Sequence, residues 1–205
     1  MQAYHANDVV GKMSVSFDKI SAADAATPLE AVSYSSDGLL MQELSLAGKI
    51  SLRGDFNDPR VAAAVQDTLG LAVDLQANTF LRNNERSIYW LGPDERIIYT
   101  DLMAVDNEIA QLRSALPGNT SVVEVSDYFT VIRLSGEKVR PVLGSGTPLD
   151  LHNSVFSKGQ CAQTRFGTAS VLLSVHDDIP VIDLQVRWSF AEYVWAYLCK
   201  VADYC

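Results

Sequence analysis

The sequence of 205 residues predicts an α+β fold in which two ferredoxin-like split βαβ units follow one another along the chain. Two observations carry this prediction. Strand and helix patterns succeed one another as βαββαβ and then βαββα, and the strongest strand pair is an antiparallel hairpin. Antiparallel strands with helices on one face are the simplest arrangement of such an order. The prediction divides the chain into residues 1–45, 46–126 and 127–205, which together form one compact domain.

The first 45 residues carry few signals of regular structure. They are rich in Ala, Ser, Asp and Gly, with turn signals at residues 27–28 and 36–38. Short apolar groups at residues 9–10 and 39–41 interrupt this polarity. Two interpretations remain open, a disordered segment or an extended arm whose apolar residues dock on another chain. In either case we expect the segment to add no regular element to the core.

The first unit begins with an alternating pattern at residues 49–54, which predicts a strand. A helix is expected to follow, because Asp58 can cap its N-terminus and Pro59 suits a first helical turn. Gly70 is expected to end this helix. The apolar stripe that faces the core comprises Val61, Ala62, Val65 and Leu69.

A β-hairpin is predicted next, with strands at residues 87–91 and 96–99 around a Gly-Pro-Asp-Glu turn. A second helix is expected over residues 107–115, behind Asp106 as its N-terminal residue. Residues 121–125 are expected to form the strand that closes the first unit.

The second unit repeats this order. A strand is predicted at residues 128–134 and a short helix at 135–143, followed by two long strands at 163–175 and 180–187.

The last segment has the strongest helix signal in the chain. Ser189 and Glu192 have the spacing of a capping box, in which each side chain bonds a free backbone N–H group. Apolar residues recur behind it at helical spacing: Phe190, Val194, Tyr197, Leu198 and Val201.

Composition excludes several classes of function. The net charge is −9, from 25 acidic and 16 basic residues, and this negative field makes nucleic acid an unfavourable partner. No apolar run approaches the roughly 20 residues that span a bilayer, and residues 1–15 contain no apolar stretch typical of a secretory signal. The chain has three widely spaced cysteines, an odd number. We therefore expect a cytoplasmic protein with reduced thiols and no membrane partner.

The residue types that perform catalysis do not form a complete set in this sequence. His152 could act as a general base oriented by Asp150, but a histidine in such a turn is more typical of a surface or capping position. His176 precedes two aspartates and is interpreted as part of a hairpin turn. Cys161 could be a nucleophile, but its apolar neighbours and the lack of a nearby histidine favour a packing role.

Binding residues are equally sparse. A pterin would need a buried carboxylate, for which the candidates are Asp94, Asp101 and Asp150, and each of them lies in or beside a predicted turn. The histidines and cysteines show no spacing typical of a metal site. The sequence therefore predicts no catalytic, cofactor-binding or metal-binding residue in this chain.

Aromatic residues near the C-terminus suggest a role in contacts with another protein chain. Trp188 lies at the corner before the last helix, and Tyr193 and Trp195 lie away from its main apolar stripe. Such residues usually belong to the core, but Trp and Tyr are also enriched in protein interfaces. The N-terminal arm and this second helix face are thus the two candidate contact surfaces.

Three blocks of sequence, within a likeness that covers about residues 49–201, resemble the gamma subunit of bacterial heterotetrameric sarcosine oxidase. They are residues 90–95, residues 148–164 and residues 186–193. The resemblance implies a fold like the folate-binding domain of the glycine-cleavage aminomethyltransferases. It also implies that the chain packs on an alpha subunit, with beta and delta subunits in the same complex.

In that family the complex demethylates sarcosine oxidatively to glycine, forms hydrogen peroxide, and transfers the one-carbon unit to tetrahydrofolate or releases formaldehyde. The resemblance places FAD, FMN, NAD and tetrahydrofolate in the alpha and beta subunits and zinc in delta, so no cofactor is expected in this chain. It carries over no catalytic residue. The alternative is a stand-alone folate-binding domain for one-carbon transfer.

Overall fold

The computed structural model describes residues 27–205 and confirms an α+β fold with two antiparallel sheets. The strands of the first sheet are β3 (Gly48–Arg53), β4 (Phe80–Arg82), β5 (Ser87–Gly92), β6 (Glu95–Thr100) and β7 (Ser121–Glu124). Those of the second sheet are β1 (Ser33–Ser36), β2 (Leu39–Glu43), β8 (Phe129–Ser135), β9 (Cys161–Phe166), β10 (Ala169–Asp177) and β11 (Val181–Arg187).

The first helix, α1 (Pro59–Leu69), has the two ends that its sequence predicts. At its N-terminus the Asp58 carboxylate accepts a hydrogen bond of 2.9 Å from the backbone N–H of Arg60. At its C-terminus Gly70 adopts a φ of 66°, a left-handed conformation that costs glycine little, and its N–H donates to the Gln66 carbonyl. Local capping chemistry therefore fixes this helix.

The second helix, α2 (Val105–Ala115), begins two residues earlier than predicted. Ala104 occupies its N-cap position without any side-chain hydrogen bond, so the expectation that Asp106 stands just before the helix is wrong. Asp106 lies in the first turn instead, where a negative charge is stabilised by the positive end of the helix dipole. The short helix α3 (Val139–Gly144) lies within the predicted range 135–143, apart from its last residue.

The last helix, α4 (Ala191–Ala202), does not use the predicted capping box. A short 3₁₀ turn, Trp188–Phe190, contains Ser189, so Phe190 becomes the N-cap residue and no side chain caps the helix. The chain leaves β11 directly into this turn, which shifts the start of the helix past the serine. Phe190 is consequently 38% exposed rather than part of the core.

The first sheet has the strand order β4-β5-β6-β3-β7, which contains the four-stranded order of a ferredoxin-like unit with β4 added at one edge. Helices α1 and α2 cover one face of the sheet. Apolar side chains of α1 and α2 pack there against the strands, and this core includes Ile50, Leu52, Val61, Val65, Ile98 and Leu112.

The second sheet has the order β1-β2-β8-β11-β10-β9, and its outer face is covered by α3 and α4. The core on this face includes Met41, Leu134, Val142, Leu173, Leu184 and Leu198, which are all fully buried. Helices on one face of each antiparallel sheet confirm the predicted fold class.

The expectation that residues 1–45 add no regular element to the core is wrong for the part of this segment that is described. β1 and β2 form a hairpin, and β2 pairs antiparallel with β8. Leu39 and Met41 of β2 are 3% and 0% exposed, because their side chains enter the second core. Residues 1–26, including the apolar residues 9–10, lie outside the described part of the chain.

The place of β2 follows from the order of the second unit. Residues 127–205 supply β8, α3, β10, β11 and α4, and the strand that pairs with the second edge of β8 comes from residues 39–43. Unpaired N–H and C=O groups at a buried edge are costly, and residues 39–43 satisfy them. An apolar run of three residues within polar sequence was too short to predict this long-range pairing.

The predicted strand at residues 163–175 is also wrong as a single element. It is an antiparallel hairpin of β9 and β10, in which Phe166 pairs with Ala169. Gly167 turns the chain between them with a φ of 57°, a conformation that glycine adopts without strain. The apolar residues on both sides of the glycine produced an uninterrupted strand pattern.

The two sheets pack face to face, so that the layers are helices, first sheet, second sheet and helices. An apolar cluster joins the sheets and consists of Phe80, Tyr89 and Ile97 from the first and Cys161 and Leu172 from the second. A Thr79–Gln160 bridge adds backbone pairing between the two halves. Polar side chains, among them Lys49, Asp183 and Gln185, also lie between the sheets.

We predict that Met41→Ala lowers the free energy of unfolding by about 2–5 kcal/mol, because it leaves a cavity in a core that β2 helps to form. Leu40→Ala is the matched control: its side chain is 40% exposed on the opposite face of the same strand. We expect a loss of about 1 kcal/mol or less for this variant. Chemical denaturation of both variants measures the difference, and equally small losses would contradict the placement of β2.

Candidate functional site

The three aspartates considered for pterin binding all lie in exposed turns. Asp94 is part of the turn between β5 and β6. The Asp101 carboxylate accepts a hydrogen bond of 2.7 Å from the Met103 backbone N–H. The Asp150 carboxylate accepts one of 2.8 Å from the His152 backbone N–H. The Asp101 and Asp150 carboxylates therefore stabilise turns.

His152 and Asp150 do not form a catalytic pair. The contact of Asp150 is with the backbone of His152, and the imidazole Nδ1 lies 2.8 Å from the Ser154 hydroxyl. The imidazole is exposed, so it has neither the orienting carboxylate nor the enclosed surroundings of a general base.

Cys161 is the first residue of β9 and is fully buried between the sheets. Its thiol lies 3.3 Å from the Thr79 carbonyl oxygen and 3.7 Å from that of Trp90. Burial raises the pKa of this thiol to about 12, so it is protonated at neutral pH. A protonated, enclosed thiol is a poor nucleophile, in line with the packing role expected from its neighbours.

His176 is the residue whose sequence interpretation was wrong. It lies within β10 rather than in a turn, and only 10% of its side chain is exposed. Its Nε2 atom lies 3.0 Å from Oδ2 of Asp183 and 3.2 Å from the Ser174 hydroxyl. The ring of Phe80, from the first sheet, packs against it at a centroid distance of 4.8 Å. His176 therefore faces the other sheet.

Asp183 connects two basic side chains on the inner face of the second sheet. Arg133 donates two hydrogen bonds to its carboxylate, of 2.7 Å from Nε and 2.8 Å from Nη2. Burial tends to raise the pKa of Asp183, but the hydrogen bonds from Arg133 and His176 outweigh it and hold the pKa below its ordinary value. The register places Arg133 directly opposite Asp183, so β8 and β11 pre-align the pair.

Lys49 is a buried cation on the inner face of the first sheet. Its residue is 2% exposed, and its ammonium group donates to the backbone carbonyls of Ala47 at 3.2 Å and Ser126 at 3.0 Å. Burial lowers the pKa of Lys49 to about 8, while the negative charge of Asp127 offsets part of this effect. The ammonium also lies 5.4 Å from the centre of the Tyr99 ring.

Tyr89 and Tyr99 of the first sheet also line the space between the sheets. Their rings meet edge to face at a centroid distance of 5.3 Å. Burial raises the pKa of Tyr89 to about 12 and that of Tyr99 well above its ordinary value, so both hydroxyls remain protonated. The Tyr99 hydroxyl donates to the side-chain oxygen of Gln185, which is a direct hydrogen bond between the sheets.

These side chains line a cavity of about 190 Å³ that lies between the two sheets and is partly open to solvent. Its lining includes Lys49, Tyr89 and Tyr99 from the first sheet and Arg133, His176 and Asp183 from the second. Residues 44–47, which connect β2 to β3, form another part of the wall. This cavity is the candidate functional site of the described chain.

Sequence reasoning missed Lys49, Arg133 and Asp183. The available signal was the alternation in β11, where Asp183 and Gln185 separate the apolar residues 182, 184 and 186. Such a pattern predicts one face in solvent. The polar face is in fact covered by a second sheet, and both polar residues are 6% exposed.

Within residues 27–205, no group of three His, Cys, Asp or Glu side chains is placed to hold a metal ion. None of the helices in the same part of the chain is long and apolar enough to cross a membrane.

The fold of this chain is similar to the folds of two solved structures. The structure of the glycine cleavage system aminomethyltransferase T from Bartonella henselae has a similar fold. That match has a TM-score of 0.56 at 14% identity and covers 76% of this chain and 44% of the other. The heterotetrameric sarcosine oxidase from Corynebacterium sp. U-96, in complex with pyrrole 2-carboxylate, gives a TM-score of 0.73 at 21% identity, covering 82% and 86%. At these identities the likeness shows the fold.

The sequence itself shows the family. Residues 53–203 match the model of the sarcosine oxidase, gamma subunit family. The chain is also 26% identical over 168 residues to the sarcosine oxidase subunit gamma of Arthrobacter sp., covering 80% of this chain and 73% of the relative. The chain therefore belongs to the sarcosine oxidase gamma subunit family, as the three sequence blocks indicated.

The charge of Lys49 predicts a pH dependence of stability. Its pKa is about 8 in the folded chain against an ordinary value of 10.5, so the unfolded chain binds more protons between these two pH values. Stability therefore rises with pH across this window. We predict that the free energy of unfolding of the wild type rises relative to that of Lys49→Met by about 3 kcal/mol from pH 8 to 10.5.

Denaturant titrations of the wild type and of Lys49→Met at several pH values measure this difference. The buried tyrosines and Cys161 are present in both proteins, so their contributions to the pH dependence cancel in the difference. The exposed Lys200 gives a matched control, since Lys200→Met should show a nearly constant difference from the wild type. A constant difference for Lys49→Met as well would contradict a buried, charged lysine.

Proposed function

We propose that this chain is a non-catalytic, structural subunit of a heterotetrameric sarcosine oxidase and that it packs on the alpha subunit, with beta and delta in the same complex. In this proposal the complex converts sarcosine to glycine, hydrogen peroxide and either 5,10-methylenetetrahydrofolate or formaldehyde. FAD, FMN, NAD, tetrahydrofolate and zinc are held by the other subunits. The family match over residues 53–203 supports the assembly. The three unpaired cysteines support a cytoplasmic location, where thiols remain reduced.

The non-catalytic role is supported by the burial, protonation and pairing of the reactive side chains. The Cys161 thiol is buried and protonated, and His152 contacts a serine in an exposed turn. Asp183 is neutralised by Arg133 and bonded to His176. A general base or nucleophile needs a reacting atom within hydrogen-bonding reach and a suitable pKa, and these groups are engaged in packing and pairing instead.

The alternative, a stand-alone folate-binding domain, is less well supported by the cavity. Sites that enclose drug-sized ligands measure roughly 300–1,000 Å³. The inter-sheet cavity measures about 190 Å³, and the carboxylate in its lining that could receive a pterin, Asp183, already pairs with Arg133. The residues present therefore do not fit a whole folate. Titration of the full-length chain with tetrahydrofolate tests this, and micromolar binding would favour the alternative.

One end of the second sheet offers a contact surface for a partner. Tyr128, Phe190 and Tyr193 are 43%, 38% and 39% exposed. Arg187 packs over the Tyr128 ring at 4.9 Å, and the Tyr193 hydroxyl accepts a hydrogen bond of 3.3 Å from the Thr168 backbone N–H. Exposed aromatic residues that such contacts hold in place are typical of interface anchors. This aromatic end includes Tyr193 of the helix face that the sequence suggested, whereas Trp195 of the same predicted face packs against the second core.

We predict that Phe190→Asp weakens binding to the alpha subunit at least tenfold while the chain stays folded. Phe190 occupies the N-cap of α4, where an aspartate is among the preferred residues and its charge is stabilised by the helix dipole. The loss of an aromatic anchor in an interface costs about 2 kcal/mol or more. Coexpression with the other subunits, pull-down through alpha and circular dichroism of the same variant measure both effects.

Ile179→Asp is the control for this experiment. Ile179 is 75% exposed in the turn between β10 and β11, at the opposite end of the hairpin from Phe190. We expect this variant to assemble like the wild type. Undiminished assembly of a folded Phe190→Asp chain would show that the aromatic end is not the contact.

A further inference from the structure

The inter-sheet cavity contains a buried cation with an unused hydrogen-bond donor. A lysine ammonium has three N–H groups, and Lys49 uses two of them for the carbonyls of Ala47 and Ser126. None of the ion pairs within residues 27–205 includes Lys49, although its residue is 98% buried and lines the cavity. An unpaired buried charge is costly, so an anion in the cavity would relieve it.

Most of the other charges in the lining are already paired. Arg133 is neutralised by Asp183, and Arg86 pairs with Glu85 and Glu108. Arg82, in contrast, forms no ion pair with the described part of the chain. Two cations, Lys49 in the interior and Arg82 in an exposed part of the wall, thus remain unpaired in a chain of net charge −9. Asp127 offsets part of the Lys49 charge from beyond ion-pair distance, whereas a small anion in the cavity could pair with the ammonium directly.

The walls indicate what kind of anion fits. Tyr89 and Tyr99 line the cavity with their rings, and Leu46, Phe129 and Leu172 add apolar surface. An inorganic anion would leave these walls without a partner. A cavity of about 150 Å³ with apolar walls is known to hold benzene, so about 190 Å³ accommodates a ring of that size with one small polar group.

We infer that the cavity binds a small monocarboxylate with a flat apolar body, whose carboxylate pairs with the Lys49 ammonium while the body lies against the tyrosine rings. This site is independent of the assembly role, because it lies between the sheets rather than at the aromatic end. At pH 7 the ammonium is largely protonated, since its pKa is about 8, and is available to an anion.

Calorimetric titration of the full-length wild-type chain with benzoate and with benzamide at pH 7 tests the inference. The two probes have nearly the same shape and differ in charge. We expect benzoate to bind at least tenfold more tightly than benzamide, since the amide cannot pair with an ammonium. Equal binding of the two probes, or binding of neither, would overturn the inference, and this comparison requires no variant.

Lys49→Met adds a second arm. It should lower benzoate affinity at least tenfold and leave benzamide affinity within about twofold, because the methionine keeps the apolar stem and removes the charge. Lys200→Met, on the exposed side of α4, should leave both affinities unchanged. Retained benzoate binding by folded Lys49→Met, or an equal loss in Lys200→Met, would overturn the assignment of Lys49.

Discussion

Backbone pairing between β2 and β8 closes an edge that the second sheet cannot close with its own segment. Residues 127–205 supply β8, β10 and β11 of a four-stranded ferredoxin-like order, β9 at the far edge and the helix α4. The position beside β8 is filled by residues 39–43, with Leu40 opposite Ser135 and Glu43 opposite Ile132. An isolated edge at this position would leave a row of backbone groups and an apolar core without cover. The N-terminal hairpin is thus part of the second sheet although it precedes the first in sequence.

The hairpin is held at its far end by a buried carboxylate. Glu43 accepts hydrogen bonds from the Thr130 hydroxyl at 2.7 Å and from the Ala31 backbone N–H at 3.0 Å. It therefore joins β8 to the turn that precedes β1. From Glu43 the chain crosses to the first sheet through residues 44–47, which line the cavity, and reaches Lys49. The same crossing therefore brings Lys49 into the wall of the cavity.

Local chemistry made part of this fold predictable. Asp58 and Gly70 bound α1 by capping, and the strands around the Gly-Pro-Asp-Glu turn form β5 and β6 as expected. Errors arose where a distant partner decided the outcome. Residues 39–43 form a strand because they pair with β8, which is distant in sequence. The capping box at Ser189 is not used because the chain leaves β11 in a 3₁₀ turn. Sequence patterns describe short-range preferences, and these residues respond to long-range contacts.

The candidate site was predictable to a smaller extent. The packing role of Cys161 followed from its neighbours, but the cavity combines residues far apart in sequence, such as Arg133 and Asp183. Their polar strand face is typical of a solvated surface, and only the presence of a second sheet converts it into a buried one. The family could be identified from three sequence blocks because it depends on residue identity rather than on geometry.

Hydrogen exchange of the full-length chain tests the pairing of β2 with β8 most directly. At the end of β2 the Leu44 amide donates to the Val131 carbonyl at 2.9 Å on the β8 side, and the Glu43 amide donates to the Val32 carbonyl at 3.0 Å on the β1 side, so the amides of β2 are protected alternately by its two neighbours. Residues 39–44 should therefore exchange as slowly as the peptide of β8, through the same cooperative unfolding. Exchange of residues 39–44 at the rate of an unstructured segment, while β8 remains protected, would contradict the account.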